Sequence, residues 1–178
     1  MAEHGKIFNR EDALQAAIEA ASKSPCQKSQ RGVAIWSGDK IITGNNHIPD
    51  PFICDGSIQC RYSCHKRAIH AEQHAIMKWM AIWYNRAGKN LQAELLHIKV
   101  KDGQPVPTGP PSCWQCSKLI LAAGIKFVWL FEKDENGGEP QWKRYRAHDF
   151  HFLTMKENCL LTFDEADNYL VAEIIVAD

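Results

Sequence analysis

The sequence predicts an α/β domain, because helical and strand patterns alternate along the chain and a fully apolar strand follows a helix. Of the 178 residues, 45% are hydrophobic and 24% are charged, which is ordinary globular composition. Residues 126–131 (KFVWLF) form a continuous apolar run, typical of a strand buried on both faces of a parallel sheet. We find no internal repeat and no linker, so we expect residues 1–178 to form a single domain.

The first predicted elements are a helix and a β-hairpin. Asn9 can cap a helix that ends before Pro25, since apolar residues recur at helical spacing between them. Residues 31–36 and 41–43 have β-forming composition and flank a Ser-Gly-Asp-Lys turn, which predicts a hairpin. Residues 44–66 show few periodic apolar positions and therefore predict a long loop. A loop of this length is either functional or held in place by something other than an apolar core.

A helix–strand–helix–strand series is predicted next. Helical periodicity over 69–83 precedes alternating apolar residues over 96–100, which indicate a strand. A proline-rich loop at 101–112 leads to a helix at 113–123, and the apolar strand then completes a right-handed crossover. The last forty residues predict two helices around 160–163.

Charge balance and cysteine content reduce the number of functional classes that fit this sequence. Lys plus Arg and Asp plus Glu both number 21, and this balance argues against a dedicated polynucleotide binder. No apolar run approaches the roughly 20 residues that cross a bilayer, and no basic start precedes an apolar stretch. We therefore expect a cytoplasmic protein with no membrane partner. Seven cysteines in a compartment where disulfides are rare indicate metal binding or catalysis.

Four residues in two short motifs predict a catalytic metal centre. Cys113 and Cys116 lie three apart at a predicted helix start, so both thiolates can reach one ion. His70 supplies a third ligand from the preceding predicted helix. Three protein ligands leave the fourth position of tetrahedral zinc to water, and Glu72 can accept a proton from that water. A structural zinc knuckle or a redox Cys-x-x-Cys pair would need neither His70 nor Glu72.

The motifs His70-x-Glu72 and Cys113-x-x-Cys116 resemble those of the zinc-dependent cytidine and deoxycytidylate deaminase superfamily. Residues 69–76 (IHAEQHAI) are most similar to the corresponding helix start of deoxycytidylate deaminases. The resemblance implies a zinc-dependent hydrolase that replaces the amino group of a nucleobase with an oxo group.

The resemblance also implies a fold and further site residues. The fold would be a three-layer α/β/α sandwich with a central mixed five-stranded sheet. The motif-bearing core would cover about 10–131, and 132–178 would add a C-terminal strand and helix extension. Asn46 would contact the sugar or base, and the backbone of Ala71 would hold the polar edge of the ring. Related enzymes are commonly oligomers, so we expect a homo-oligomer.

The sequence departs from the family pattern before the second motif. Ser112 precedes Cys113 where the family usually has proline, and the loop over 101–112 is expanded. Both departures leave the ligands intact and bear on the choice of substrate.

A second group of cysteines predicts a structural zinc site. Closed sites of four thiolates stabilise loops that lack a core. Either His47 or His65 could replace one thiolate, and inert free thiols are the alternative. The four candidate ligands are Cys26, Cys54, Cys60 and Cys64.

The leading functional hypothesis is hydrolytic deamination of dCMP to dUMP, with a small-molecule nucleotide as the partner. A deaminase acting on cytosine or adenine in single-stranded DNA or RNA is the alternative, indicated by the basic and aromatic run at 142–146. A free-base deaminase of the guanine type and a non-catalytic zinc-stabilised module, in which Glu72 is only a helix cap, also remain open. Lys28 and Arg31 are candidate phosphate ligands.

Overall fold

The computed structural model describes residues 6–83, 92–134, 136–161 and 175–176. Its helices are α1 (Arg10–Ser22), α2 (Ile58–Arg67), α3 (Ala71–Trp83), α4 (Trp114–Ala122) and α5 (Ala147–Glu157). Its strands are β1 (Gln30–Ser37), β2 (Lys40–Asn45), β3 (Glu94–Lys101), β4 (Gln104–Val106), β5 (Phe127–Glu132), β6 (Gln141–Arg146) and β7 (Ile175–Val176).

These strands form one mixed sheet in the order β2-β1-β3-β5-β6-β7, and β4 pairs with β3. The hairpin β1–β2 is antiparallel, as is the pairing of β1 with β3. β3 and β5 are parallel, so α4 makes the predicted crossover between them. The five strands of six to eight residues correspond to the expected five-stranded sheet, and the short β4 and β7 extend it.

Helices cover both faces of the sheet, as the three-layer prediction requires. On one face α1 packs against Trp36, Leu96, Ile98 and Trp129 through its buried alanines. On the other face α3, α4 and α5 share a core with β1, β3 and β5. The α/β sandwich is confirmed, and its second core carries the helix starts that matter for function.

Two glycines let helices approach the hairpin closely. A Cβ atom at Gly32 would lie 2.0 Å from Ala17 O of α1, and a Cβ at Gly44 would lie 2.4 Å from Ala75 N and 2.6 Å from Ala71 O of α3. No real Cβ tolerates such distances, so only glycine allows these contacts. Gly44 thus fixes the height of the first turn of α3 above the sheet.

One prediction about local structure was wrong, and a second is tested only in part. The segment 44–66 was expected to be a loop, but α2 begins at Ile58 after the N-cap Ser57, whose Oγ accepts from Cys60 N at 3.0 Å. Of the two helices expected around 160–163, the structure shows α5 ending at Glu157, preceded by the strand β6. A second helix would fall on residues 162–174, which lie outside the described residues.

None of the described helices has the length and apolar character required to pass through a lipid bilayer.

Candidate active site

Three side chains from two helix starts form a close cluster of metal-binding groups, the only one found in the described part of the chain. The ligand atoms of His70, Cys113 and Cys116 all lie within 4.8 Å of one another. His70 Nδ1 is 3.4 Å from Cys113 Sγ and 3.3 Å from Cys116 Sγ. One imidazole and two thiols are the donor set of catalytic zinc sites with three protein ligands. The cluster therefore fits zinc.

Local capping orients these ligands. The backbone N–H of His70 donates to Gln73 Oε1 at 2.9 Å, which anchors the start of α3. Cys113 is the N-cap of α4, and its Sγ accepts from the backbone N–H of Cys116 at 3.4 Å. The N-terminus of a helix carries partial positive charge, which stabilises a thiolate there.

The two thiols and the imidazole of the cluster shift one another's pKa values. The hydrogen bond from Cys116, together with that from His70, lowers the pKa of Cys113 to about 5. The same contact between the thiols, and burial, raise the pKa of Cys116. Hydrogen bonding to Cys113 raises the pKa of His70. Cys113 is thus a thiolate at neutral pH, and a bound cation would displace the proton that Cys116 retains.

Glu72 is buried in the first turn of α3, beside the cluster. Its Oε1 atom lies 3.2 Å from Nδ1 of His97 on β3. Burial lowers the pKa of His97 to about 4, so this imidazole is neutral at neutral pH. Burial alone would raise the pKa of Glu72, but the neighbouring His97 and His70 and the backbone outweigh it and lower the pKa. Glu72 is therefore ionised at neutral pH and able to accept a proton.

A cavity of about 240 Å³ opens beside the cluster. This volume is a little below the roughly 300–1,000 Å³ of typical small-ligand pockets. The cavity is lined by residues of both motifs and by two basic residues, Lys28 before β1 and Arg31 within β1. The residues of its lining that bear on function are Lys28, Arg31, Asn46, His70, Ala71, Glu72, His97 and Cys113.

Asn46 and Ala71, the expected substrate contacts, both line this cavity. Ala71 is the first residue of α3 and is fully buried. Asn46 Oδ1 accepts from Arg31 N and Ser24 Oγ, each at 2.8 Å, and Asn46 Nδ2 donates to Ser29 O at 2.9 Å. The amide of Asn46 therefore joins the end of β2 to the start of β1, and its contact with substrate stays a prediction.

The loop before the first thiol and the helix that carries both thiols are held by α5. Asn158, the residue that caps α5, donates from Nδ2 to Ser112 O at 2.9 Å. Ser117 of α4 is fully buried, and its Oγ lies 2.7 Å from Thr154 Oγ1 and 2.8 Å from His151 Nδ1. The position that departs from the family pattern is thus supported from the C-terminal part of the chain.

The second group of cysteines lies next to the cavity. Cys26, Cys54 and Cys60 are buried in one small apolar cluster, and the sulfur atoms of Cys54 and Cys60 are 3.7 Å apart. Cys64, one turn further along α2, lines the cavity together with Cys26. No three of these four thiols lie within 4.8 Å of one another. A second ion here stays a prediction, and the side chain of His65 lies outside the described residues.

The basic and aromatic run at 142–146 makes contacts within the fold. Arg144 NH2 lies 2.7 Å from Glu94 Oε1, and its guanidinium stacks over an aromatic ring at 3.5 Å. Lys143 Nζ lies 3.3 Å from Oε2 of the buried Glu132. None of these side chains lines the cavity beside Glu72. Two basic residues of the run that indicated single-stranded DNA or RNA, Lys143 and Arg144, therefore pair within the fold.

Sequence reasoning did not single out His97. The alternation of β3 places His97 among apolar neighbours on a strand that helices cover on both faces, and the side chain is 8% exposed. A histidine in the centre of a buried strand is the signal that could have identified it, because a buried polar group requires a partner.

Comparison with known proteins agrees with this geometry. Residues 8–132 match the model of the cytidine and deoxycytidylate deaminase zinc-binding region. The cytidine deaminase of Burkholderia pseudomallei is similar in structure, with a TM-score of 0.53 and 16% identity over 80% of this chain and 96% of that chain. A dCMP deaminase of the cyanophage S-TIM5 gives a TM-score of 0.44 and 25% identity over 66% and 78%. A search of curated proteins gives no match.

The sandwich fold and the His/Cys/Cys cluster beside a buried carboxylate define a zinc-dependent hydrolytic deaminase. The chain belongs to the cytidine and deoxycytidylate deaminase family, whose zinc-binding region covers most of its length.

Proposed function

We propose that this enzyme deaminates the nucleotide dCMP to dUMP and releases ammonia. The observation that carries the choice of a nucleotide is positive charge in the cavity that holds Glu72, because Lys28 and Arg31 both line it. Lys28 is exposed, and an ammonium group binds phosphate as a point charge. Free bases and nucleosides carry no phosphate for this charge to recognise.

The side chains around the cavity have separate tasks. His70, Cys113 and Cys116 would hold zinc, which lowers the pKa of a bound water toward 7. Glu72 accepts one proton from the attacking water and passes it to the ring nitrogen beside the amino-bearing carbon. The water oxygen bonds to that carbon and the carbon–nitrogen bond breaks. Glu72 transfers the second water proton to the departing amino group, which leaves as ammonia.

A substrate panel analysed by mass spectrometry tests this proposal. Purified zinc-loaded protein is offered free bases, nucleosides, monophosphates, single-stranded DNA and RNA. We expect the enzyme to deaminate dCMP and to leave single-stranded DNA and RNA unchanged. The variant Glu72→Gln should retain its zinc and lose about 10²–10⁴-fold in kcat, because a carboxamide cannot accept the proton. Unchanged turnover by Glu72→Gln would contradict the mechanism and favour a different base.

The contribution of the phosphate is tested separately at Lys28. We expect Lys28→Met to raise KM for dCMP about tenfold, or ~1.4 kcal/mol, and to leave turnover of deoxycytidine unchanged. Lys23→Met is the matched control, because Lys23 is exposed and does not line the cavity. Equal use of dCMP and deoxycytidine by the unmodified enzyme would refute nucleotide specificity.

A second, structural zinc is also proposed, with Cys26, Cys54, Cys60 and Cys64 as its ligands. The proximity of Cys54 and Cys60 supports it, as does the burial of Cys26 with them in one small cluster. Cys64 lies one turn further along α2 and lines the cavity together with Cys26. The thiols would have to draw together around the ion, which would brace a segment whose apolar core is small.

We further propose that the enzyme is cytoplasmic and acts as a homo-oligomer. All seven cysteines are free, as in a reducing compartment. The oligomer rests on the family resemblance, and light scattering of the purified protein tests it.

A further inference from the structure

A buried histidine contacts the proposed proton carrier, and the reaction scheme gives it no task. His97 lies in the centre of β3 between Leu96 and Ile98, and it is 8% exposed. Its Nδ1 is 3.2 Å from Glu72 Oε1, and its Nε2 is 3.4 Å from NH1 of Arg31. A polar ring in such a strand costs free energy unless both nitrogens have partners.

The chemistry of the two partners determines the tautomer of His97. An ionised carboxylate only accepts hydrogen bonds, so Nδ1 must carry a proton to satisfy Glu72. A guanidinium only donates, so Nε2 must be unprotonated to accept from Arg31. A neutral imidazole with its proton on Nδ1 satisfies both contacts. The other neutral tautomer satisfies neither, and a protonated ring would set an N–H against the N–H of Arg31.

This chain of three groups lies at the reaction site. Arg31, His97 and Glu72 all line the cavity, and Arg31 is the second residue of the part of β1 that pairs with β3. Arg31 and His97 sit on neighbouring strands of a rigid sheet, whereas Glu72 sits on a helix above it. The sheet can therefore fix the carboxylate relative to the cluster.

Building on the proposed function, we propose that His97 is a positioning residue, which holds one oxygen of Glu72 through its Nδ1–H while Arg31 selects the tautomer. The second oxygen of Glu72 is then the one that accepts and delivers protons. Hydrogen-bond partners of this kind typically change activity by about 10–100-fold when removed, because the group they orient becomes mobile.

Two substitutions at His97 separate positioning from packing. His97→Leu keeps a similar volume and removes the donor, whereas His97→Asn places an amide N–H near the position of Nδ1. We expect His97→Leu to lower kcat for dCMP about 10–100-fold with KM changed less than about twofold. His97→Asn should recover most of that loss. Zinc content, measured for each variant, should equal that of the unmodified enzyme.

Tyr145→Phe is the matched control. Tyr145 also loses a buried hydrogen bond when replaced, because its hydroxyl donates to Glu132 Oε1 at 2.7 Å, but it does not line the cavity. We expect its kcat to stay within about twofold of the unmodified value, since the reacting groups are untouched. If His97→Leu retained full kcat, or if His97→Asn were as impaired as His97→Leu, positioning through Nδ1–H would be refuted.

Nitrogen-15 NMR gives a second readout that does not depend on turnover. At neutral pH the His97 ring should show a protonated Nδ1 and an unprotonated Nε2, with the Nδ1 proton protected from exchange. A ring protonated on Nε2, or one that exchanges freely, would overturn the inference. Absence of all turnover in the unmodified enzyme would instead count against the proposed function, so the two failures are distinguishable.

Discussion

Acid should destabilise this protein through the buried His97. Its pKa is about 4 in the fold against an ordinary value of 6.5, because burial disfavours the charged ring. The charged or titratable groups that face it are Glu72, which favours protonation, and Arg31 and His70, which oppose it. The test lowers the pH from 7 to 4 and compares the loss of unfolding free energy in the unmodified protein with that in His97→Asn.

The sign and size follow from the two pKa values. Between pH 6.5 and 4 the unfolded chain binds a proton at His97 that the folded chain does not, so acid favours unfolding. This contribution is fully present above pH 6.5 and is lost as the pH falls to 4. At roughly 1.4 kcal/mol per pH unit, the interval corresponds to about 3 kcal/mol of unfolding free energy. The lowered pKa of Glu72 acts only below its ordinary value of 4.5, at the edge of this window.

Urea denaturation at half-unit steps of pH measures this effect. Both proteins are zinc-loaded, so release of metal by acid affects both and cancels in the difference between them. We expect the unfolding free energy of the unmodified protein to fall by about 3 kcal/mol more than that of His97→Asn over the window. Parallel curves for the two proteins would show that His97 does not titrate as a buried neutral ring, and the reasoning would fail.

Other perturbations test the packing and the second ion. Gly44→Ala should lower the free energy of unfolding by about 1–3 kcal/mol and reduce turnover, because the new Cβ would lie 2.4 Å from Ala75 N and displace α3. Thermal denaturation measures the loss of stability, and steady-state kinetics measure the loss of turnover. Cys60→Ser should reduce the zinc content by mass spectrometry from two ions to one per chain, and a single ion in the unmodified protein would contradict the second site. Asn158→Ala should cost about 1 kcal/mol in urea denaturation, because Asn158 Nδ2 would no longer donate to Ser112 O and Thr154 O. An unchanged midpoint would show that these bonds contribute nothing to stability.

The elements that the sequence predicts well are those with local signals. Asn9 and Asp12 form a capping box at the start of α1, with bonds of 3.0 and 3.2 Å, and the two residues are only three positions apart in sequence. α4 ends at Ala122, one residue before the predicted end at 123, and Gly124 follows in the left-handed region. The catalytic cluster was predictable for a similar reason, because each half of it lies at a helix start.

The sequence predicts α2 and β6 less well, because neither element carries a strong local pattern. α2 is mostly polar at its surface and is held by Ser57 at its start and by its buried Cys60, so it lacks the apolar stripe that marks a helix. The strand β6 forms because β5 offers it an edge, where Arg144 pairs with Glu94 across the sheet. The pairing of Glu94 with Arg144, 50 positions apart in the chain, is not visible from sequence spacing.

His97 shows a different limit of sequence reasoning. The alternation in β3 indicated which residues share a face, but it did not show that helices cover both faces. Once α3 lies over the sheet, the polar residue between Leu96 and Ile98 can reach only groups inside the protein. Its partner Arg31 is 66 positions away in the chain, and only the pairing of β1 with β3 brings the two together.

The support that α5 gives to the thiol-bearing helix implies that the smallest active unit is longer than the segment that identifies the family. A chain cut at residue 132 would keep all three ligands and Glu72, yet it would lose Asn158, Thr154 and His151. The backbone of Ser112 and the buried hydroxyl of Ser117 would then face water or apolar neighbours without their partners. Such a truncated chain would keep the family motif but bind zinc poorly. The residues that match the family motif are therefore fewer than the residues that an active enzyme needs.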